Sequence, residues 1–288
     1  MTEKRKIAFL GPRATFTESA VTFLFPDEVG VAYQTIPECM DAIQAGEVEV
    51  AVVPLENTIE GSVNLTLDYL IHEKPARIIA ELTVPIRQQL MVHPDNTMRW
   101  NDVNCIYSHS HAIAQCHKFL HGQFNQTNYE YMTSTGAAAK YVSEHPKENI
   151  AAIANELAAK EYGLTIVRKD IHDYENNHTR FVVLQKEKHS ISPPSNLSPV
   201  GQKTTLMITL PSDQAGALHQ VLSAFAWRKL NLSKIESRPM KTGLGNYFFI
   251  IDIDAILDEI LVPGAIAELE ALGCSVTILG SYPFFHAN

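Results

Sequence analysis

The order of short β-like and helical runs constrains this fold more than any single residue does. KIAFLG precedes FTESAVTFLF, VAYQ precedes IPECMDAIQAG, and VEVAVVP precedes SVNLTLDYLIH. Further on, VNCIY leads into HAIAQCHKFLH, YEYM into TGAAAKYVSEH, and NIAAIA into NELAAKEYG. Parallel strands need crossover connections, usually helices, so this alternation predicts parallel α/β sheets. The segment RIIAELTVPIRQQLMV (77–92) interrupts the alternation and reads as a crossing between two lobes, with TIVRKDI (165–171) crossing back. The expectation is two α/β lobes with a cleft between them.

A second boundary lies at KEKHSISPPSNLSPVGQ (186–202), rich in Ser, Pro and charge and poor in apolar residues, as a linker is. The chain therefore divides into a two-lobed part (1–185), a linker (186–202) and a smaller domain (203–288). In the last, TTLMITL reads as a strand and GALHQVLSAFAWRKL as a helix with Leu218, Val221, Leu222 and Phe225 on one face. LSKIESRPM and NYFFIIDID are strands joined by a turn at KTGLG, DEILVPGAIAELEALG holds a helix, and CSVTILGSY is a last strand. The order βαββαβ is ferredoxin-like.

Composition removes some partners. A net charge of -9 supplies no basic face for phosphates, so no nucleic acid is expected. The four Cys (39, 105, 116 and 274) form no CxxC pair, so structural zinc and a disulfide framework are not expected and a reducing cytoplasm fits. No run reaches the ~20 apolar residues of a membrane span, and MTEKRKIAFLG lacks the apolar stretch of a signal peptide.

Ligands in open α/β sheets bind at the carboxyl ends of strands, so the loops there carry the candidate residues. In GPRATFTE (11–18), Thr15 and Glu18 have capping-box spacing, and the helix they open offers free N–H groups to an anion. In LENTIEGSV (55–63), Glu56 and Glu60 flank Asn57 and Thr58, either as an acid–base pair or as a solvated turn with a helix cap at Ser62. In SHSHAIAQC (108–116), Ser108 faces the strand end and Gln115 lies on the following helix. His109, His111, His117 and His121 have metal-like spacing but no nearby carboxylate to complete a set. In TSTGAAAKY (133–141), Thr133, Ser134 and Thr135 can cap a helix of small residues. Neither GxGxxG nor a P-loop occurs, which disfavours nucleotide cofactors. Hydroxyls, amides and helix ends around one cleft suit a small polar ligand bearing carboxylates.

These loops, in this order, resemble the prephenate dehydratase family of the monofunctional bacterial type. GPRATFTE resembles GPxGTFTE, VPLENTIEG (53–61) resembles VPIENSxEG, SHSHAIAQC resembles SHPQALAQC, STGAAA (134–139) resembles STAxAA, and TRF (179–181) is intact. The tail resembles an ACT regulatory domain, with GALH (216–219) for GALV and IESRP (235–239) intact. The resemblance implies a catalytic part with a two-lobed periplasmic-binding-protein-like fold. It also implies conversion of prephenate to phenylpyruvate without a cofactor, feedback inhibition by phenylalanine, and a homodimer or homotetramer. Three departures stand out: Ala14 for a Gly, Ser110-His111 for Pro-Gln, and His219 for an aliphatic residue in the effector motif.

By that resemblance Thr179 is the catalytic threonine, with Glu56 as a possible ultimate proton source, and Asn57, Ser108 and Gln115 line the substrate site. Thr15 or Ser134 is expected to receive the pyruvyl carboxylate at a helix end. Phe181 is expected to wall the cleft on the Thr179 side of the strand. Arg180 either anchors a nearby carboxylate or, if Thr179 is still in the turn, reaches the substrate. Gly216, Ala217, Leu218, Glu236, Ser237, Arg238 and Pro239 match the effector motifs. Two other readings stay open: arogenate as substrate, and a two-lobed binding protein that responds to amino acids without catalysis.

Overall fold

Ile7, Ala8 and Phe9 are all buried, so β1 (Lys6–Leu10) is covered on both faces, as a central parallel strand must be. These positions belong to a computed structural model that describes residues 4–73, 76–186, 197–211, 215–240, 247–258 and 260–287. The chain packs as two units. One comprises Met1–Pro75, Thr83–Phe181 and Ala287–Asn288; the other comprises Ala76–Leu82 and Val182–His286.

Along the chain, β1 is followed by α1 (Phe16–Leu24), β2 (Val29–Tyr33), α2 (Ile36–Ala45), β3 (Val50–Asn57), β4 (Gly61–Ser62) and α3 (Asn64–Asp68). Then come β5 (Arg77–Pro85), β6 (Gln89–Val92), β7 (Cys105–Ser108), α4 (Ser110–Ala114), α5 (His117–Gln123) and β8 (Asn128–Tyr131). The set closes with α6 (Thr135–Glu144), β9 (Ile150–Ala154), α7 (Glu156–Glu161), β10 (Thr165–Arg168) and β11 (His178–Gln185). In the first lobe β1 pairs in parallel with β2 and β3. In the second lobe the order is β10-β6-β9-β7-β8, with β7 parallel to β8 and β9, and β6 antiparallel to β9 and β10. Every residue of β9 (IAAIA) is buried, and its small side chains let α6, itself Ala-rich, lie close.

The crossing expected over 77–92 resolves into two strands and a short passage at 86–88. TIVR does not cross back. Antiparallel pairing with β6 keeps it in the second lobe as β10, and the return is made by 169–177. The two passages are tied together: Ile86 N donates to Asn177 O at 2.8 Å, and Ile171 N to Gln88 O at 2.9 Å.

The loop expected after VEVAVVP is also shorter than its sequence suggests. β3 runs on through Leu55, Glu56 and Asn57, because Gly61, at φ 81, turns the chain back to pair Glu56 with Ser62 and Asn57 with Gly61. Ser62 is thus held in the ladder, and the N-cap of α3 is Val63, which makes no side-chain cap bond.

The second unit contains β12 (Gly201–Thr209), α8 (Ala217–Ala226), β13 (Leu232–Pro239), β14 (Tyr247–Ile253), α9 (Leu261–Ala271) and β15 (Ser275–His286). β12 begins inside the stretch read as a linker; residues 187–196, and the KTGLG turn, lie outside the described residues. The four strands form an antiparallel sheet in the order β13-β14-β12-β15. Leu206, Ile251, Val221, Phe225, Val262 and Leu269 meet between sheet and helices. On α8 the buried stripe is Ala217, Val221, Ala224 and Phe225, and Leu218 is 39% exposed. At about 100° per residue, Leu218 and Leu222 fall beyond the edge of that stripe. The first unit is thus a two-lobed α/β body of the periplasmic-binding-protein type, and the second a ferredoxin-like βαββαβ unit.

Candidate active site

A cavity of about 490 Å³ lies between the lobes of the first unit, within the usual range for small-molecule sites. Its lining includes Thr15, Asn57, Glu60, Gln88, His109, His111, Gln115, Ser134 and Thr179, and among the described residues neither Lys nor Arg. Two helix ends face each other at its rim. Thr15 caps α1 by accepting from Glu18 N, and the Glu18 carboxylate accepts from Ala14 N. Ser134 caps α6 by accepting from Ala137 N at 3.0 Å. Both helices keep unbonded first-turn N–H groups, which favour an anion.

Ala14, which departs from the family pattern, lies where these ends approach each other. Ala14 holds φ 63, a left-handed conformation that favours glycine, and is fully buried. Opposite it, a β-carbon on Gly136 would stand 2.5 Å from Arg13 O. The small residue at 136 therefore makes room for the loop that carries Ala14.

Beneath the cavity runs a chain of amides ending on a hydroxyl. Gln115 Oε1 accepts from Asn177 Nδ2 at 3.1 Å, and Asn177 Oδ1 accepts from Asn57 Nδ2 at 2.9 Å. Asn57 Nδ2 also donates to Thr179 Oγ1 at 2.9 Å, while Asn57 Oδ1 closes the turn by accepting from Ile59 N and Glu60 N. Thr179 Oγ1 is thus an acceptor here, and among the described residues its own proton has no acceptor. That proton is available to a ligand. Glu60 joins the lobes from the side, with Oε2 3.6 Å from His111 Nδ1 and Oε1 accepting from Gln115 Nε2 at 3.5 Å. Burial, followed by the neighbouring His111, lowers the pKa of His109 below its ordinary value, against a smaller opposing effect of Glu60.

Strand alternation sorts the remaining expected residues. β11 has already begun at His178, so Thr179 and Arg180 point to opposite faces. Arg180 Nη1 donates to Glu56 Oε2 at 2.6 Å, and neither residue lines the cavity. Arg180 therefore anchors a carboxylate on the far face, and that carboxylate is Glu56. Phe181 is buried in the interior rather than in the cavity wall. Ser108 is fully buried and donates to Ile153 O at 2.7 Å, tying β7 to β9 away from the cavity. Among the described residues no group of three or more His, Cys, Asp or Glu is placed to hold a metal ion.

Two residues were missed in the sequence. Asn177 looked like part of a turn, yet it is 1% exposed and joins Gln115 to Asn57. Gln88 lay in the crossing segment, and that was the only signal it gave.

In the second unit, Gly216 opens α8 at φ 86 with no side-chain cap, leaving first-turn N–H groups free of one. Ala217 is buried behind it. Glu236 lies between Lys234 and Arg238 on one face of β13, 3.1 Å from each, and Ser237 and Pro239 alternate to the exposed side.

Comparison with known proteins gives the family. The prephenate dehydratase family model matches residues 7–189, and the ACT domain model matches 204–274. The prephenate dehydratase of Bacillus subtilis is 61% identical over 280 residues, covering 96% of this chain and 98% of that protein. The structure of the Arthrobacter aurescens prephenate dehydratase in complex with L-Phe superposes with a TM-score of 0.83 at 34% identity, over 96% of this chain and 89% of that one. The Staphylococcus aureus prephenate dehydratase gives a TM-score of 0.80 at 29% identity, over 96% and 99%. With both family models matched in order along the chain, and a cavity built from the loops that carry the family's motifs, this chain belongs to the prephenate dehydratase family, with an ACT domain following its catalytic part.

Proposed function

We propose that the cavity between the lobes binds prephenate and catalyses its decarboxylative dehydration to phenylpyruvate. The carbon–carboxylate bond breaks and its electron pair enters the ring. The ring carbon–oxygen bond breaks on the opposite side, and the departing hydroxyl takes up one proton to leave as water. Aromatisation supplies the driving force, so the protein must assist the leaving group and keep the ring carboxylate poorly solvated.

Thr179 is the catalytic residue in this reading. The observation that carries it is the 2.9 Å bond from Asn57, which fills an acceptor position on Oγ1 and leaves the hydroxyl proton for a ligand. A threonine hydroxyl is a weak acid, so its part is a strong hydrogen bond or a relay rather than outright protonation. Its pairing with Arg180 favours a supporting role for Glu56 over proton donation. Gln115 and Asn57 position the donor, and the ends of α1 and α6, at Thr15 and Ser134, receive a carboxylate. Ser108, Arg180 and Phe181 shape the strands beneath.

The second unit, in this reading, binds L-phenylalanine as a feedback inhibitor, as the A. aurescens relative's complex with L-Phe suggests. The uncapped start of α8 at Gly216, Ala217 and Leu218 offers N–H groups to its carboxylate, with Glu236, Ser237, Arg238 and Pro239 completing the site. The working division is 1–185 catalytic, 186–202 linker and 203–288 regulatory, in a cytoplasmic homodimer or homotetramer. Incubating the purified protein with prephenate and, separately, arogenate tests the reading. Phenylpyruvate formed from prephenate and suppressed by L-phenylalanine is expected. Turnover of arogenate alone would reassign the substrate, and turnover of neither would leave a binding protein.

A further inference from the structure

Gln88 sits on the three-residue passage between the lobes, lines the cavity and is 2% exposed. Its backbone is fixed at both ends: N donates to His172 Nδ1 at 3.4 Å, and O accepts from Ile171 N. Its side chain is not. Oε1 is the atom buried without a hydrogen-bond partner, whereas Nε2 is not sealed off in the same way and donates to no acceptor among the described residues. Several other amides nearby are paired. Gln89 bonds Asp170 through both of its side-chain atoms, while Asn57, Gln115 and Asn177 bond one another. The unsatisfied oxygen is itself an acceptor and cannot take a carboxylate, so it is the Nε2 donor that is left for a ligand.

Among the described residues the cavity has no Lys or Arg to meet a dianion, so the ligand's carboxylates fall to neutral donors and helix ends. We propose that Gln88 is a substrate-binding residue, its side-chain amide donating to a carboxylate oxygen of the bound dianion. This rests on the reading of the cavity as the prephenate site. Gln88 adds a neutral donor on the passage joining the lobes.

The test compares Gln88→Met, which keeps length and loses the hydrogen bonds, with Gln88→Glu, which keeps shape and sets a negative charge against the substrate. Both are assayed with prephenate and melted without it, alongside Thr179→Val. Gln88→Met is expected to raise KM by about tenfold or more, the worth of a hydrogen bond to a charged group, with a smaller effect on kcat. Its Tm should hold or rise, since a buried unsatisfied amide is removed. Gln88→Glu should lose more in kcat/KM than Gln88→Met. A merely structural amide would give the reverse, a lowered Tm with unchanged KM. If Thr179→Val is inactive while both Gln88 variants keep wild-type kcat/KM, the role of Gln88 is overturned and the site stands. If all three variants keep full activity, the cavity is not the substrate site and the inference falls with it. A raised KM in both Gln88 variants with Thr179→Val fully active supports Gln88 and overturns only the catalytic threonine.

Discussion

Replacing Asn177 with leucine removes the middle of the amide chain while keeping a buried side chain of similar size. Two hydrogen bonds disappear, from Asn57 Nδ2 at 2.9 Å and to Gln115 Oε1 at 3.1 Å. Each is worth about 1 kcal/mol net, and the groups left without their partner add about 1–3 kcal/mol. Asn57 Nδ2 retains Thr179 Oγ1 and the His178 carbonyl, so Gln115 Oε1 is the main orphan. The expected loss of stability is therefore about 3–5 kcal/mol, read from urea unfolding. Activity should fall through kcat, because Asn177 orients the donor and does not line the cavity. A drop of about 10–100-fold corresponds to about 1.4–2.7 kcal/mol at the transition state, with KM within a few-fold of wild type. Asn177→Asp keeps the acceptor for Asn57 and gives up only the bond to Gln115, so its kcat should stay nearer wild type. A folded Asn177→Leu enzyme with unchanged kcat would refute the reasoning. So would an Asn177→Asp enzyme as slow as the leucine variant.

Other consequences follow from the same structure. Lys203→Met strips the ammonium from Glu81, whose side chain is 2% exposed and 2.8 Å away, and should cost about 3–5 kcal/mol in urea unfolding. The double variant Lys203→Met/Glu81→Leu should recover most of that. Gly136→Ala puts a β-carbon against Arg13 O, so the ends of α1 and α6 must part; about 1–3 kcal/mol of stability should be lost, with a fall in kcat/KM. His109 has a folded pKa below its unfolded value of 6.5. Its contribution to stability is thus complete above that pH and is lost as pH falls toward the folded pKa, since the unfolded chain takes up the proton first. His109→Gln should flatten the dependence of unfolding free energy on pH below 6.5.

The fold was legible because its signals are local. Strand–helix alternation marked both lobes, and the run from TTLMITL to CSVTILGSY spelled out the βαββαβ unit. The site was legible only to the level of its loops. A strand-end position says that a residue is near the cleft but not which way it points, and one residue of register decides that. Asn57 and Thr179 thus reached the cavity while Glu56 and Arg180, next to them in sequence, met on the other face. Ser108 and Phe181 were turned into the interior in the same way. Asn177 and Gln88 gave no local signal at all. Their burial arises only when the passages at 86–88 and 169–177, far apart in sequence, lie side by side. The departure at Ala14 became intelligible only beside Gly136, the small residue facing it across the lobes.

The account turns on the Thr179 hydroxyl, and single-turnover decay of prephenate on Thr179→Val and Thr179→Ser tests it most directly. Valine keeps the shape and removes the proton donor; serine keeps the donor. The account predicts a chemical step slowed by about 100-fold or more in Thr179→Val, in line with the loss of a positioned proton donor. It predicts a step within about tenfold of wild type in Thr179→Ser, with unchanged unfolding midpoints for both. A folded Thr179→Val enzyme that converts prephenate at the wild-type rate would contradict it.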